Sequence, residues 1–316
     1  MIREKVIVGE GTEYPLNGML TIPERTESEH AKGPVSAVVM VHGSGSSNMD
    51  EKVMKLTPFK DLAEGLARHG IASLRYDKRS FAHGRKMLKA GDVTVKEETI
   101  DDAVLAVNML KEDPRIDHDN IYILGHSMGA MLAPRIDAEG GDVKGLIMMA
   151  GTPYRLEDIV VRQLKQAEGN NPIIKGIVGL ERKVYAGKFE GLYQMSDEEA
   201  KKKKFAGGTS LYYFKEMGQK TAADYLLESS KPVLIMQGGK DFQCLAEEDF
   251  KGFQEQLAGR ENTEYKLYPF LNHCFVTALN DDITKASKEY SLERHIGEDV
   301  IKDIADFIKG GIDHAS

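Results

Sequence analysis

Gly125-His126-Ser127-Met128-Gly129 sets a serine inside a G-x-S-x-G pentapeptide, after an apolar run from Asn120 to Leu124 and before a helix-like stretch from Ala130 to Asp137. A strand that reverses sharply into a helix strains the backbone of its turn residue. Glycines on both sides remove the Cβ atoms that would collide with the turn. Ser127 is thereby a candidate nucleophile. A serine hydroxyl is a poor nucleophile at neutral pH, so it needs an imidazole to take its proton and a buried carboxylate to fix that imidazole's tautomer. In an open parallel sheet both partners should stand just beyond the carboxyl ends of strands.

Asp241 meets that requirement, following the strand-like run Pro232 to Gln237 and the tight turn Gly238-Gly239-Lys240. His273 meets it as well, after the run Tyr265 to Tyr268 and the turn Pro269-Phe270-Leu271-Asn272. The order Ser127, Asp241, His273 is the order in which such elbows meet their acid and base. Asp281 and Asp282 are weaker rivals for the acid. His126 is expected to pack or bond locally, and His30, His69, His83, His118, His295 and His314 sit in polar, exposed or terminal contexts. Acyl transfer also needs donors for a developing oxyanion, and rigid backbone amides suit that role. The amide of Met128 is one candidate and that of Ser44, in the loop His42-Gly43-Ser44-Gly45, is the other. That loop lacks the G-K-[ST] ending of a phosphate cradle. Neither H-x-x-x-H nor C-x-x-C occurs, so no metal site and no cofactor is expected.

Positioning these groups requires a sheet. Lys5 to Val8, Gly18 to Ile22, Val35 to Val41, Ile71 to Tyr76, Asn120 to Leu124, Val143 to Ala150, Pro232 to Gln237 and Tyr265 to Tyr268 read as strands. Leu56 to His69, Thr99 to Leu110, Glu247 to Leu257 and Glu298 to Ile308 read as amphipathic helices between or after them. The alternation predicts an α/β fold, a mostly parallel central sheet with helices on both faces. Between Thr152 and Lys231 the rhythm breaks, and the spacing of Leu156, Ile159, Val160 and Leu164 predicts a helical insertion. The expectation is one domain over 1–316 with an inserted helical cap over 153–230. Ser196 followed by Glu199 suggests a capping box, and the lysines 201–204 read as a solvated face. Tyr212, Tyr213 and Phe214, with Tyr154 and Phe242, are candidates for an apolar substrate wall. Arg79 is expected to brace the sheet's rim through Asp101 or Asp102.

A net charge of −8 and a pI near 5.7 argue against a nucleic-acid or anionic-membrane partner. The segment from Met1 to Lys5 lacks the apolar core of a signal peptide, and no apolar window is long enough to span a bilayer. A cytoplasmic protein is expected, with Cys244 and Cys274 as free thiols and an oligomeric state open to monomer or homodimer.

The chain resembles the α/β-hydrolase superfamily, and within it the bacterial carboxylesterases of the cinnamoyl/feruloyl esterase and prolyl-oligopeptidase-like, dienelactone-hydrolase-related branches. His42-Gly43-Ser44-Gly45, Tyr76-Asp77-Lys78-Arg79, Gly125-His126-Ser127-Met128-Gly129, Gln237-Gly238-Gly239-Lys240-Asp241 and Leu271-Asn272-His273 carry the resemblance, in that order along nearly the whole chain. It implies a serine carboxylesterase acting on a small-molecule ester of short acyl, aryl or cinnamoyl type. Ser127, Asp241 and His273 would be the triad, and the Ser44 and Met128 amides the oxyanion hole. A peptidase or thioesterase using the same triad, or a ligand-binding protein on this scaffold, are the alternatives. Ser80 stands after Arg79 where a glycine is common.

Overall fold

The computed structural model describes residues 1–26, 33–91, 93–169, 172–206 and 208–313; His30 and His314 lie outside them. Eight strands form one sheet: β1 Ile2–Val8, β2 Leu16–Ile22, β3 Val35–Val41, β4 Ala72–Tyr76, β5 Ile116–His126, β6 Gly145–Met149, β7 Val233–Gly238 and β8 Thr263–Tyr268. Their spatial order is β1-β2-β4-β3-β5-β6-β7-β8. Pairings from β4 onward are parallel, and only β1 with β2 and β2 with β4 run antiparallel. The sheet is thus mostly parallel, as the alternation predicts.

The central strands are apolar throughout because both faces are covered. Successive side chains point to opposite faces, so Ala37, Val39 and Val41 of β3 join one apolar cluster while Val38 and Met40 join the other. Helices α1 Pro58–Arg68 and α12 Glu298–Asp313 cover the second face, packing against each other. In α1, Phe59, Leu62 and Leu66 form the buried stripe, and Gly70, at φ +80°, follows its end. Helices α3 Asp101–Glu112 and α4 Met128–Ile136 cover the first face.

Helix α2, Arg79–Ala90, is not anticipated by the sequence reading. Only Arg79 and Met87 of it are buried, which leaves no apolar stripe to read. Arg79 does brace the rim, and its partner is Asp102, with Nε to Oδ2 at 2.9 Å. Burial raises the Asp102 pKa to about 6 even though Arg79 pulls the other way.

Between β6 and β7 the chain leaves the sheet for α5 Leu156–Ala167, α6 Pro172–Phe189, α7 Asp197–Lys202, α8 Leu211–Met217 and α9 Ala222–Leu227. Ser196 caps α7 by accepting from the Glu199 amide at 3.2 Å, and Thr221 with Asp224 forms a reciprocal box at the start of α9. Leu192, Ala200, Leu211 and Phe214 give this segment a small core of its own. After β7 come α10 Lys251–Gln256 and, beyond β8, α11 Ala286–Glu289. No described helix is long and apolar enough to cross a membrane.

Candidate active site

Ser127 is the single residue between the end of β5 and the start of α4, and its backbone is held at φ 55° and ψ −118°. That is a strained region for a residue with a side chain. The neighbours impose it. A Cβ on Gly125 would overlap the carbonyl of Gly129, and a Cβ on Gly129 would overlap that of Val41. The Ser127 amide donates to the Met149 carbonyl at 2.9 Å, anchoring the turn to β6. The helix begins at Met128, so its positive end faces the space beside the serine.

Asp241 and His273 emerge beyond β7 and β8. Asp241 Oδ2 accepts from His273 Nδ1 at 2.7 Å and from Gln237 Nε2 at 2.9 Å. Its Oδ1 accepts from the amides of Gln243 and Cys244 at 2.7 and 3.0 Å. A carboxylate can only accept, so Nδ1 of His273 is the donor and Nε2 keeps its lone pair. Cys244 Sγ also lies within 4.8 Å of ligand atoms on Asp241 and His273. Asp241 already receives a hydrogen bond at every lone pair, which leaves none directed at a cation. Burial pushes both cysteine thiols well up, the opposite of a reactive thiolate.

His126 ties the His273 loop to the elbow. Its Nε2 donates to the His273 carbonyl at 2.8 Å, and the two imidazoles lie 4.7 Å apart, tilted by 52°, while His126 is bonded to Ser127 in the chain. Its Nδ1 lies 3.0 Å from Glu51 Oε2. Glu51 Oε1 accepts from the Gly43 amide at 2.7 Å. Burial alone would lower the His126 pKa, but the Glu51 charge outweighs it and the value lies above the usual one; Glu51 is held below its usual value by His126 despite burial. A buried contact between His126 and Glu51 thus joins the loop after β3, the elbow and the loop after β8. The Ser127 hydroxyl and His273 Nε2 make no hydrogen bond to each other, or to any other described residue. Such bonds are commonly open in free enzymes and close with substrate.

A cavity of about 420 Å³ opens on Ser127, Met128, Ser44 and Gly45, with Gln243 and Cys244 from the Asp241 loop. Leu156, Ile159, Val160 and Phe214 of the insertion form its apolar side. The amides of Ser44 and Met128 have no acceptor among the described residues, whereas that of Gly43 is taken by Glu51. Lys78, 2% exposed, donates to the Gly43 carbonyl at 2.9 Å and holds the loop from the other side.

Of the five aromatic candidates, Tyr213 and Phe214 line this cavity. Phe242 is instead a core residue, 5.8 Å from the Tyr290 ring. Tyr212 faces Lys201 at 4.9 Å, and Tyr154 is half-exposed beside Gly252. Helix periodicity explains the division, since Tyr212 is turned about 100° from Tyr213. Sequence reading misses Glu51, Lys78 and Gln237, and also Asn272, whose Oδ1 accepts two amides of the His273 loop while Nδ2 donates to buried Glu289 at 2.7 Å. Their partners are distant in the chain or hidden in irregular loops. Lys78, Gln237 and Asn272 stand in motifs that the sequence analysis quotes, but nothing there tells what their side chains bond to.

Residues 32–280 match the Hydrolase_4 family, described as serine aminopeptidase, S33. The chain is 34% identical over 290 residues to Esterase EstD of Thermotoga maritima, a match covering 92% of this chain and 64% of that protein, so it spans under two thirds of the relative's length. Among solved structures it is similar to Est1E from Butyrivibrio proteoclasticus (TM-score 0.59, 16% identity, 98% of each chain). It is also similar to proline iminopeptidase of Mycobacterium smegmatis (TM-score 0.60, 15% identity, 99% of this chain and 100% of that one). The shared architecture is the α/β-hydrolase fold.

Proposed function

The chain belongs to the serine aminopeptidase S33 family of hydrolases, and on that premise we propose that it is a cytoplasmic serine carboxylesterase with Ser127, Asp241 and His273 as its triad. The observation that carries this reading is the buried 2.7 Å pair of Asp241 and His273, tied through His126 to a strained serine that opens on a cavity with one apolar side. In the proposed cycle His273 Nε2 takes the hydroxyl proton as Ser127 Oγ bonds to the ester carbonyl carbon. The amides of Ser44 and Met128 receive the oxyanion. Collapse breaks the bond to the alcohol oxygen, which leaves with the proton from His273. Water then attacks the acyl-enzyme, gives its proton to His273, and the acid departs as that proton returns to Ser127. Asp241 stays ionised and stabilises the imidazolium.

The segment 153–230 serves as a cap in this reading, since it supplies the apolar side of the cavity. The two buried free cysteines fit a reducing compartment. An aminopeptidase needs a carboxylate free to bind the substrate's ammonium. Glu98 is the one charged residue among the described cavity-lining residues, and it is occupied by Tyr213 and Lys78. Neutral ester substrates fit that wall better.

The test is fluorophosphonate labelling followed by a panel of short-chain, aryl, cinnamoyl and thioester substrates together with aminoacyl amides. The expected result is labelling at Ser127, ester turnover, and loss of both in Ser127→Ala by about 10⁵-fold or more. Undiminished ester turnover by Ser127→Ala would refute the assignment, and faster cleavage of aminoacyl amides than of esters would turn it to the peptidase.

A further inference from the structure

The cavity at Ser127 shares a wall with a second cavity of about 260 Å³, and Glu98, Thr209 and Tyr213 face both. The wall is a hydrogen bond between side chains. Tyr213 donates its hydroxyl proton to Glu98 Oε2 at 2.7 Å, and Lys78 Nζ stands 3.6 Å from Oε1. The Tyr213 oxygen is also 3.6 Å from Met128 Sδ, so this partition adjoins the residue after the nucleophile. Beyond it lie apolar Met87 and Val93 and the hydroxyls of Ser80 and Ser210, both of which are buried and have no hydrogen-bond partner among the described residues. Ser210 is 3% exposed.

We propose that this second chamber is a subsite of the same active site: it receives the far end of an extended, neutral ester, with Tyr213 as the gate between the two cavities. The group it takes is uncharged and about the size of one aromatic ring or a short alkyl chain. A charged end is excluded because Glu98, the one charge among the chamber's described lining residues, already has both its partners. Turning Tyr213 out of its bond with Glu98 joins the two spaces. The proposal rests on the esterase reading for its substrate class, though not for the existence of the chamber.

The chamber is tested by filling it. Gly84 lines it on α2 and has nothing within 4 Å of where a Cβ would stand, so Gly84→Phe adds bulk without a clash at the backbone. One arm compares p-nitrophenyl 4-(4-hydroxyphenyl)butanoate with p-nitrophenyl acetate; the other compares the acetate of 4-(4-hydroxyphenyl)butanol with ethyl acetate. In one arm the ratio of kcat/KM, long over short, falls at least about tenfold in Gly84→Phe and rises about threefold or more in Tyr213→Phe, and the arm that responds identifies the acyl or the alcohol end. Ratios within about twofold of wild type in both arms, for both variants, overturn the proposal. Calorimetric binding of 4-butylphenol, which needs no turnover, weakens about tenfold in Gly84→Phe; unchanged binding overturns the chamber even if Ser127 labels and acetate is hydrolysed. Conversely, absent labelling with intact phenol binding sinks the esterase reading and leaves the chamber standing.

Discussion

Strands β4, β6 and β7 are buried at every residue, whereas the 18-residue α6 of the insertion turns Ile177, Leu180 and Val184 to solvent. The sheet is held by two large apolar layers, one on each face. The insertion has only a small cluster around Phe214 and docks on the rest of the chain through polar contacts as well. Arg162 pairs with fully buried Asp249, Arg135 with Glu216, and Tyr213 with Glu98. Every group proposed for bond making stands on a loop of the sheet, and the insertion supplies cavity wall. A tightly packed scaffold can hold atoms to a fraction of an ångström, while a loosely packed one can change shape to suit a ligand.

This contrast predicts unequal responses to substitution. The largest effect belongs to Asp241→Asn, which keeps the shape of the loop after β7 and removes the charge that orients His273. Its kcat should fall about 10⁴-fold with circular dichroism unchanged, and activity near wild type would pass the role to another carboxylate. Next comes Gly129→Ala at the elbow, where the new Cβ meets the Val41 carbonyl and must displace β3 or α4. A loss of about 3 kcal/mol or more in denaturant unfolding is expected.

His42 gives a smaller, pH-dependent effect. Burial holds its pKa down at about 4 against an ordinary 6.5. The unfolded chain therefore binds a proton there that the folded one refuses, so this contribution is complete above pH 6.5 and drains away as pH falls towards 4. About 3 kcal/mol is at stake, and unfolding curves of His42→Gln should show that much less pH dependence than wild type over the same window. Smallest of all, Gly187→Ala in α6 meets open space and should stabilise by about 0.5–1 kcal/mol, read as a rise in Tm. A drop there as large as that for Gly129→Ala would erase the distinction between the two regions.

The parts of the fold legible in the chain were those where one local rule operates. Val35–Val41 reads as a central strand because no polar residue other than Ser36 interrupts it, and α1 reads as a helix because its buried residues recur with helical spacing. Helix α2 escaped because its surface is mostly wet. The placement of Asp241 and His273 at one edge of the sheet was legible because turns after strands point to a sheet's carboxyl edge. Tyr154, Tyr212 and Phe242 were grouped with Tyr213 and Phe214 because residue type does not report which side of a helix or loop faces a cavity.

The residues themselves determined one half of the elbow: a Cβ at position 125 would meet the carbonyl of Gly129 four residues on, whereas Gly129 must be small because the Val41 carbonyl of β3 lies against it, which is a demand of the tertiary structure. Tertiary structure alone decided that Glu51, 76 positions before Ser127 in the chain, would join His126 and Gly43. It also decided that Tyr213 would close on Glu98, 115 residues away. Local sterics act between neighbours in sequence and can be read there. The pairing of buried charges and the walls of a cavity are set by the packing of whole layers, because burial is what makes an unpaired charge intolerable and selects its partner.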